Sequence, residues 1–241
     1  MSISRRHIKT ILDQKAGTPF AAKKLRHRLM ALFQEAIDLE WRNDNPVANI
    51  KPIKAKSKGF HTWTEEEISR FLDCHKPGSV PHTAMILMLY TGTARVDAVK
   101  LGWSNVAGGR LTYVRQKTEA AGGTEISIPI HPTLQAVLDT LPAENETFLQ
   151  TKAGRQRSEK GLGKDMREWC QAAGLSRCTS HGLRKAIARR LAEAGASAHQ
   201  IMAITGHKTI SEVERYTREA DRAKMARSAM KKMTKKFGNT N

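Results

Sequence analysis

Two segments of alternating side chains, residues 110–117 and 124–130, flank Gly122-Gly123 and constrain this chain most. The alternation and the glycine pair predict a β-hairpin. The other patterned segments read as helices. Ile8, Ile11 and Leu12 suggest a short one, and residues 20–40 place Leu25, Leu29, Leu32, Phe33, Ala36, Ile37 and Leu39 on one broad side. Residues 80–90 carry an apolar run through Met85 and Leu89 that is too short for a bilayer and suits a core helix ended by Gly92. Further helices are expected over 96–101, 131–141, 158–173 and 180–195, and from Asp221 onward, where Met225, Ala229, Met233 and Phe237 form an apolar edge among lysines. The chain is predicted to be mainly α with a small β-hairpin.

Thr64 and Glu67 have capping-box spacing, with Trp63 and Ile68 placed for a hydrophobic staple, so a domain starts there. Before it, Asn45-Pro46 and Lys51-Pro52 bracket a segment that continues through Lys54, Lys56, Lys58 and Gly59, an extended basic linker. Lysine and arginine number 41 against 23 acidic residues, a formal charge of +18. Such a surface suits a polyanion partner. Charge alone does not separate an enzyme from a solvated basic surface. No run reaches the length of a membrane span and the N-terminus has no signal-peptide pattern, which predicts a cytoplasmic protein without a membrane partner. Cys74, Cys170 and Cys178 include no Cys-x-x-Cys pair, and a set made of Cys170, Cys178 and His181 lacks a fourth ligand, so neither a disulfide nor a metal is expected.

Residues that carry chemistry gather late in the chain. His181 and Arg184 stand three apart, one face of a helix, and so combine a proton carrier with a cation that can fork two hydrogen bonds to a phosphate. Gly206-His207 closes a short helix, and Tyr216 follows. A phenol of pKa near ~10 is a weak nucleophile unless cations surround it, and Arg184 and His207 are placed to supply them. Residues 198–216 also fit a helix-turn-helix, but Ser211-Glu212-Val213-Glu214 is too acidic for a DNA-reading face.

The stretch Ser180-His181-Gly182-Leu183-Arg184, then Thr205-Gly206-His207, then Arg215-Tyr216-Thr217, resembles the tyrosine recombinase, or phage integrase, family. Tyr90-Thr91-Gly92-Thr93-Ala94-Arg95 resembles its first-arginine segment, although the family's arginine falls at Ala94 and Arg95 is one place later. Gln116-Lys117-Thr118 resembles its hairpin lysine. The resemblance implies a catalytic-domain fold over 62–220, preceded by a partial helical core-binding segment over 1–50 and a linker over 51–61. A basic terminal helix over 221–241 would dock on its own domain or on a neighbouring protomer. It also implies catalytic roles for Arg95, Lys117, His181, Arg184, His207 and Tyr216, and transesterification through a 3′-phosphotyrosine with neither ATP nor a metal. Double-stranded DNA and further copies of the chain, in a tetrameric synapse, are the implied partners. Two other classes stay open: a type IB topoisomerase-like enzyme that relaxes DNA, and an impaired integrase that only binds it.

Overall fold

Thr64 and Glu67 open the larger part of the molecule by exchanging caps. Glu67 N–H donates to Thr64 Oγ1 at 3.2 Å, and Thr64 N–H donates to Glu67 Oε2 at 2.8 Å. The computed structural model describes residues 3–52, 59–116, 123–217 and 222–238, and for residues 215–217, 222 and 224 the backbone alone. The predicted linker positions Lys54, Lys56 and Lys58 lie outside the described residues. The chain divides into two units, Met1–Gly59 and Phe60–Asn241.

The first unit pairs α1 (Arg5–Asp13) with α2 (Pro19–Asp38), whose first residue is a proline already fixed at helical φ. Ile8, Leu12, Phe33 and Val47 form its core. Arg26 Nε and Asn45 Nδ2 tie the segment after α2 back to the helix through the carbonyls of Ile50 and Met30. The broad apolar side expected of α2 is only partly used. Leu32 and Leu39 are exposed, because α1 and residues 45–50 cover a single stripe of the helix.

The second unit opens with α3 (Glu65–Cys74) and is built around α4 (Val80–Thr91), buried on nearly every side between Thr83 and Leu89. Gly92 stops it in the left-handed conformation at φ 65°, a C-cap that glycine adopts without strain. The next helix is shorter than predicted. α5 is the single turn Arg95–Ala98: Lys100 N–H bonds the Asp97 carbonyl three residues back at 2.9 Å, a tightened last turn, and the Leu101 carbonyl then accepts from Phe148 N–H at 2.8 Å. The hairpin is present, as β2 (Arg110–Val114) and β3 (Glu125–Pro129), antiparallel with Leu111 opposite Ile128 and Tyr113 opposite Ile126. A short β1 (Val106–Ala107) adds a third strand. These four paired side chains face the core.

Four helices then lead toward the C-terminus: α6 (Pro132–Leu138), α7 (Glu159–Ala172), α8 (Ser180–Glu193) and α9 (Ala198–Thr205). α10 (Ile210–Thr217) and α11 (Arg222–Phe237) complete the unit, and α8 packs against α4, α9, α10 and α11. In this structure α11 docks on its own chain. Ser228 Oγ donates to the Ala194 carbonyl at 2.9 Å and Lys232 Nζ to that of Gly195, while Met225 packs on Ala188, Ala192, Ile201 and Val213. No helix among the described residues is long and apolar enough to cross a membrane.

Candidate active site

The start of α8 is held from behind by residues 60–63. Trp63, fully buried, donates its Nε1–H to the Thr179 carbonyl at 2.8 Å, and Lys185 Nζ donates to the Phe60 carbonyl at 2.8 Å. Thr179, rather than Ser180, is the cap, accepting from Gly182 N–H at 3.3 Å. Glycine at 182 is required by this packing, since a Cβ there would collide with the His61 carbonyl and the Trp63 ring. Next to it, exposed His181 rests on the Phe60 ring with centroids 4.6 Å apart.

Helical periodicity places Arg184 and Lys185 on an exposed face, yet both are buried. Arg184 is drawn inward because its guanidinium donates to two carbonyls that the fold brings together, Nη1 to Gly92 and Nη2 to Thr205. The Thr-Gly end of α4 and the Gly-His end of α9 are thus held by one cation. Gly206, at φ 65°, ends α9 and delivers His207 beside Arg184.

His207 Nδ1 lies 2.6 Å from Thr205 Oγ1. That hydroxyl already donates its proton to the Ile201 carbonyl at 2.7 Å, so its oxygen accepts from the ring and the Nδ1 carries the hydrogen. Neutral His207 then bears its lone pair on Nε2. Burial, and then the Arg184 charge, hold the imidazole far below its usual range, at about 4, with Glu212 opposing and Arg115 and His181 adding to the depression. The cationic role expected of His207 is therefore not its resting state.

Arg95 opens α5 and shares a cleft of about 440 Å³ with Phe60, His181 and Arg184. Its Nη2 pairs with Glu159 of α7 at 2.9 Å, and the guanidinium lies over Gly163, where a Cβ would collide with it. Ala94 is the N-cap residue of α5. Lys117 lies outside the described residues. Tyr216 stands on the backbone of α10, three positions after Val213, which is buried between α8 and α9. His61, Glu67 and Cys178 also converge, with potential ligand atoms all within 4.8 Å of one another. Glu67 accepts there from Thr64 N–H and lies 2.7 Å from His61 Nε2, so the capping box and the hydrogen bond to His61 account for the cluster.

The phage integrase family profile matches residues 61–223. The chain belongs to the phage integrase family. It is a tyrosine recombinase, an enzyme class of site-specific recombination. It is 26% identical to tyrosine recombinase XerC of Actinobacillus succinogenes, over 87% of this chain and 75% of that one. Prophage integrase IntZ of Escherichia coli is 30% identical, over 50% of this chain and 32% of its own. In structure it resembles lambda integrase residues 75–356, solved as a dimer bound to a COC′ core site. The TM-score is 0.80 at 25% identity, covering 92% of this chain and 83% of that one.

One integrase residue near the site was missed in the sequence. Arg115, buried just past β2, donates its Nη1–H to the Gly206 carbonyl, next to the Thr205 carbonyl that Arg184 holds. No local motif marks it. The alternation that turns Leu111 and Tyr113 inward carries Arg115 inward too, but its partner is distant in sequence.

Proposed function

We propose that this integrase cuts and rejoins duplex DNA through a 3′-phosphotyrosine. The observation that carries the proposal is Arg184, a buried guanidinium that holds the Gly92 and Thr205 carbonyls beside neutral His207. The Tyr216 oxygen attacks a backbone phosphorus, forming the O–P bond as the P–O5′ bond breaks. Lys117 supplies the proton that makes the leaving oxygen a free 5′-hydroxyl, and His181 helps remove the phenol proton. Arg184, Arg95 and a His207 protonated by the incoming anion stabilise charge on the phosphate, electrostatic work of about 3–4 kcal/mol for one well-placed donor. A 5′-hydroxyl of the partner strand then attacks the phosphotyrosine and releases the enzyme. The ester exchange conserves bond energy, so no nucleotide hydrolysis drives it.

In this proposal residues 1–50 and the basic linker grip the duplex, and four copies act together on paired sites in the cytoplasm. A lambda integrase tetramer bound to a Holliday junction, similar to this chain with a TM-score of 0.77, supports that arrangement. A DNA-binding protein without cleavage is the second reading, favoured by Ala94 and by the engagement of Arg95 with Glu159. Incubation of wild type and Tyr216→Phe with nicked duplex from the flanks of the gene separates the two. A detergent-resistant adduct in wild type alone supports the recombinase, and tight binding with no adduct supports the second reading. Relaxation of supercoiled DNA without any specific site would instead favour a topoisomerase.

A further inference from the structure

Arg115 is anchored through both its backbone and its side chain. Its own N–H donates to the Thr124 carbonyl at 3.0 Å, extending the β2–β3 ladder by one bond. The next amide, Gln116 N–H, donates to Asp97 Oδ1 at 3.0 Å, which fixes the strand end against α5. From this point the side chain runs inward to the turn between α9 and α10 and donates to the Gly206 carbonyl. Glycine at 206 accommodates it. A Cβ there would stand 2.8 Å from Arg115 Cδ and 2.7 Å from Ile126 Cδ1.

Two guanidiniums therefore hold consecutive carbonyls of one turn, Arg184 at Thr205 and Arg115 at Gly206, and His207 follows directly. Burying two like charges this close is costly unless anionic groups face them. Asp97 is buried nearby, and both arginines bear on the same neighbour, Tyr113. Ala94 brings no charge to the cleft, and the guanidinium of Arg95 is engaged with Glu159.

We infer that Arg115 is a further phosphate-binding cation of the site, paired with Arg184 across the Gly206–His207 turn. The inference rests on the phosphotyrosine reading and adds to it a further guanidinium beside Arg184 and Arg95. A guanidinium has donors on three nitrogens, so one can serve the Gly206 carbonyl while the group as a whole neutralises a phosphate oxygen.

The test uses the full chain and a duplex cut by wild type, prepared with either the natural phosphate or an uncharged methylphosphonate at the mapped position. Replacing one oxygen by methyl removes a negative charge, and with it the need for a neutralising cation. Arg115→Gln should form adduct about 100-fold or more slowly on phosphate. On methylphosphonate it should come within about tenfold of wild type, and Arg115→Lys should recover part of the loss on phosphate. Equal losses on both substrates would make Arg115 a strut for the turn and overturn the inference. Should Arg115→Gln fail to fold, the same comparison is made with Arg115→Lys, whose ammonium keeps the charge without the fork. Wild type without adduct on either substrate would remove the phosphotyrosine reading and this inference together.

Discussion

Trp63 and Thr179, far apart in sequence, are joined by a 2.8 Å hydrogen bond from the indole to the carbonyl of the α8 cap. The bond fixes the first turn of α8, and so the direction in which His181 and Arg184 leave it. Trp63→Phe keeps an aromatic ring but leaves that carbonyl without its donor, which should cost about 1–3 kcal/mol. Urea unfolding measures it, and adduct formation should slow as well, since the turn that aims His181 is loosened.

The pH dependence of stability follows from His207. Its folded pKa of about 4 lies below the usual imidazole value, so the unfolded chain binds a proton that the folded chain refuses. The contribution is fully present above the unfolded pKa of about 6.5 and is lost as pH falls toward 4. His207→Gln should flatten the fall in urea midpoint between those pH values. An unchanged slope would mean that the ring already protonates near 6.5 in the folded protein.

Gly163→Ala separates stability from chemistry. Alanine is favoured over glycine in a helix interior by about 1 kcal/mol, so thermal stability should hold or rise. The added methyl occupies the space of the Arg95 guanidinium and displaces it from Glu159. Adduct formation should drop by about tenfold if Arg95 serves the phosphate. An unchanged rate would take Arg95 out of the mechanism.

Much of this was legible in the sequence because it was local. The Thr64–Glu67 box, the glycine stops at Gly92 and Gly206 and the alternation of the hairpin each depend on neighbours a few residues away. Arg184 shows the opposite case. Helical periodicity exposes it, and only the meeting of the Gly92 and Thr205 carbonyls buries it. For Arg115 the strand alternation gives the inward direction, but its partner is a turn that only the fold brings to it. Leu32 fails differently. Its apolar character predicts a buried face, but α1 and the segment after α2 are too small to cover it.

The cysteines should differ sharply in reactivity. Burial, with the nearby Glu67 charge, pushes the Cys170 and Cys178 thiols up to about 12, whereas Cys74 is exposed. At pH 8 iodoacetamide should modify one thiol quickly and the other two only on unfolding, as peptide mapping can show. Fast labelling of Cys178 would mean that the packing of residues 60–63 against α8 opens readily.

Mass spectrometry of the digested adduct shows which residue becomes joined to a DNA 3′ end. A peptide containing residues 215–217 that carries a nucleotide through its phosphate on Tyr216, absent from Tyr216→Phe, is the predicted result. Attachment to another residue, or an adduct that persists in Tyr216→Phe, would contradict it.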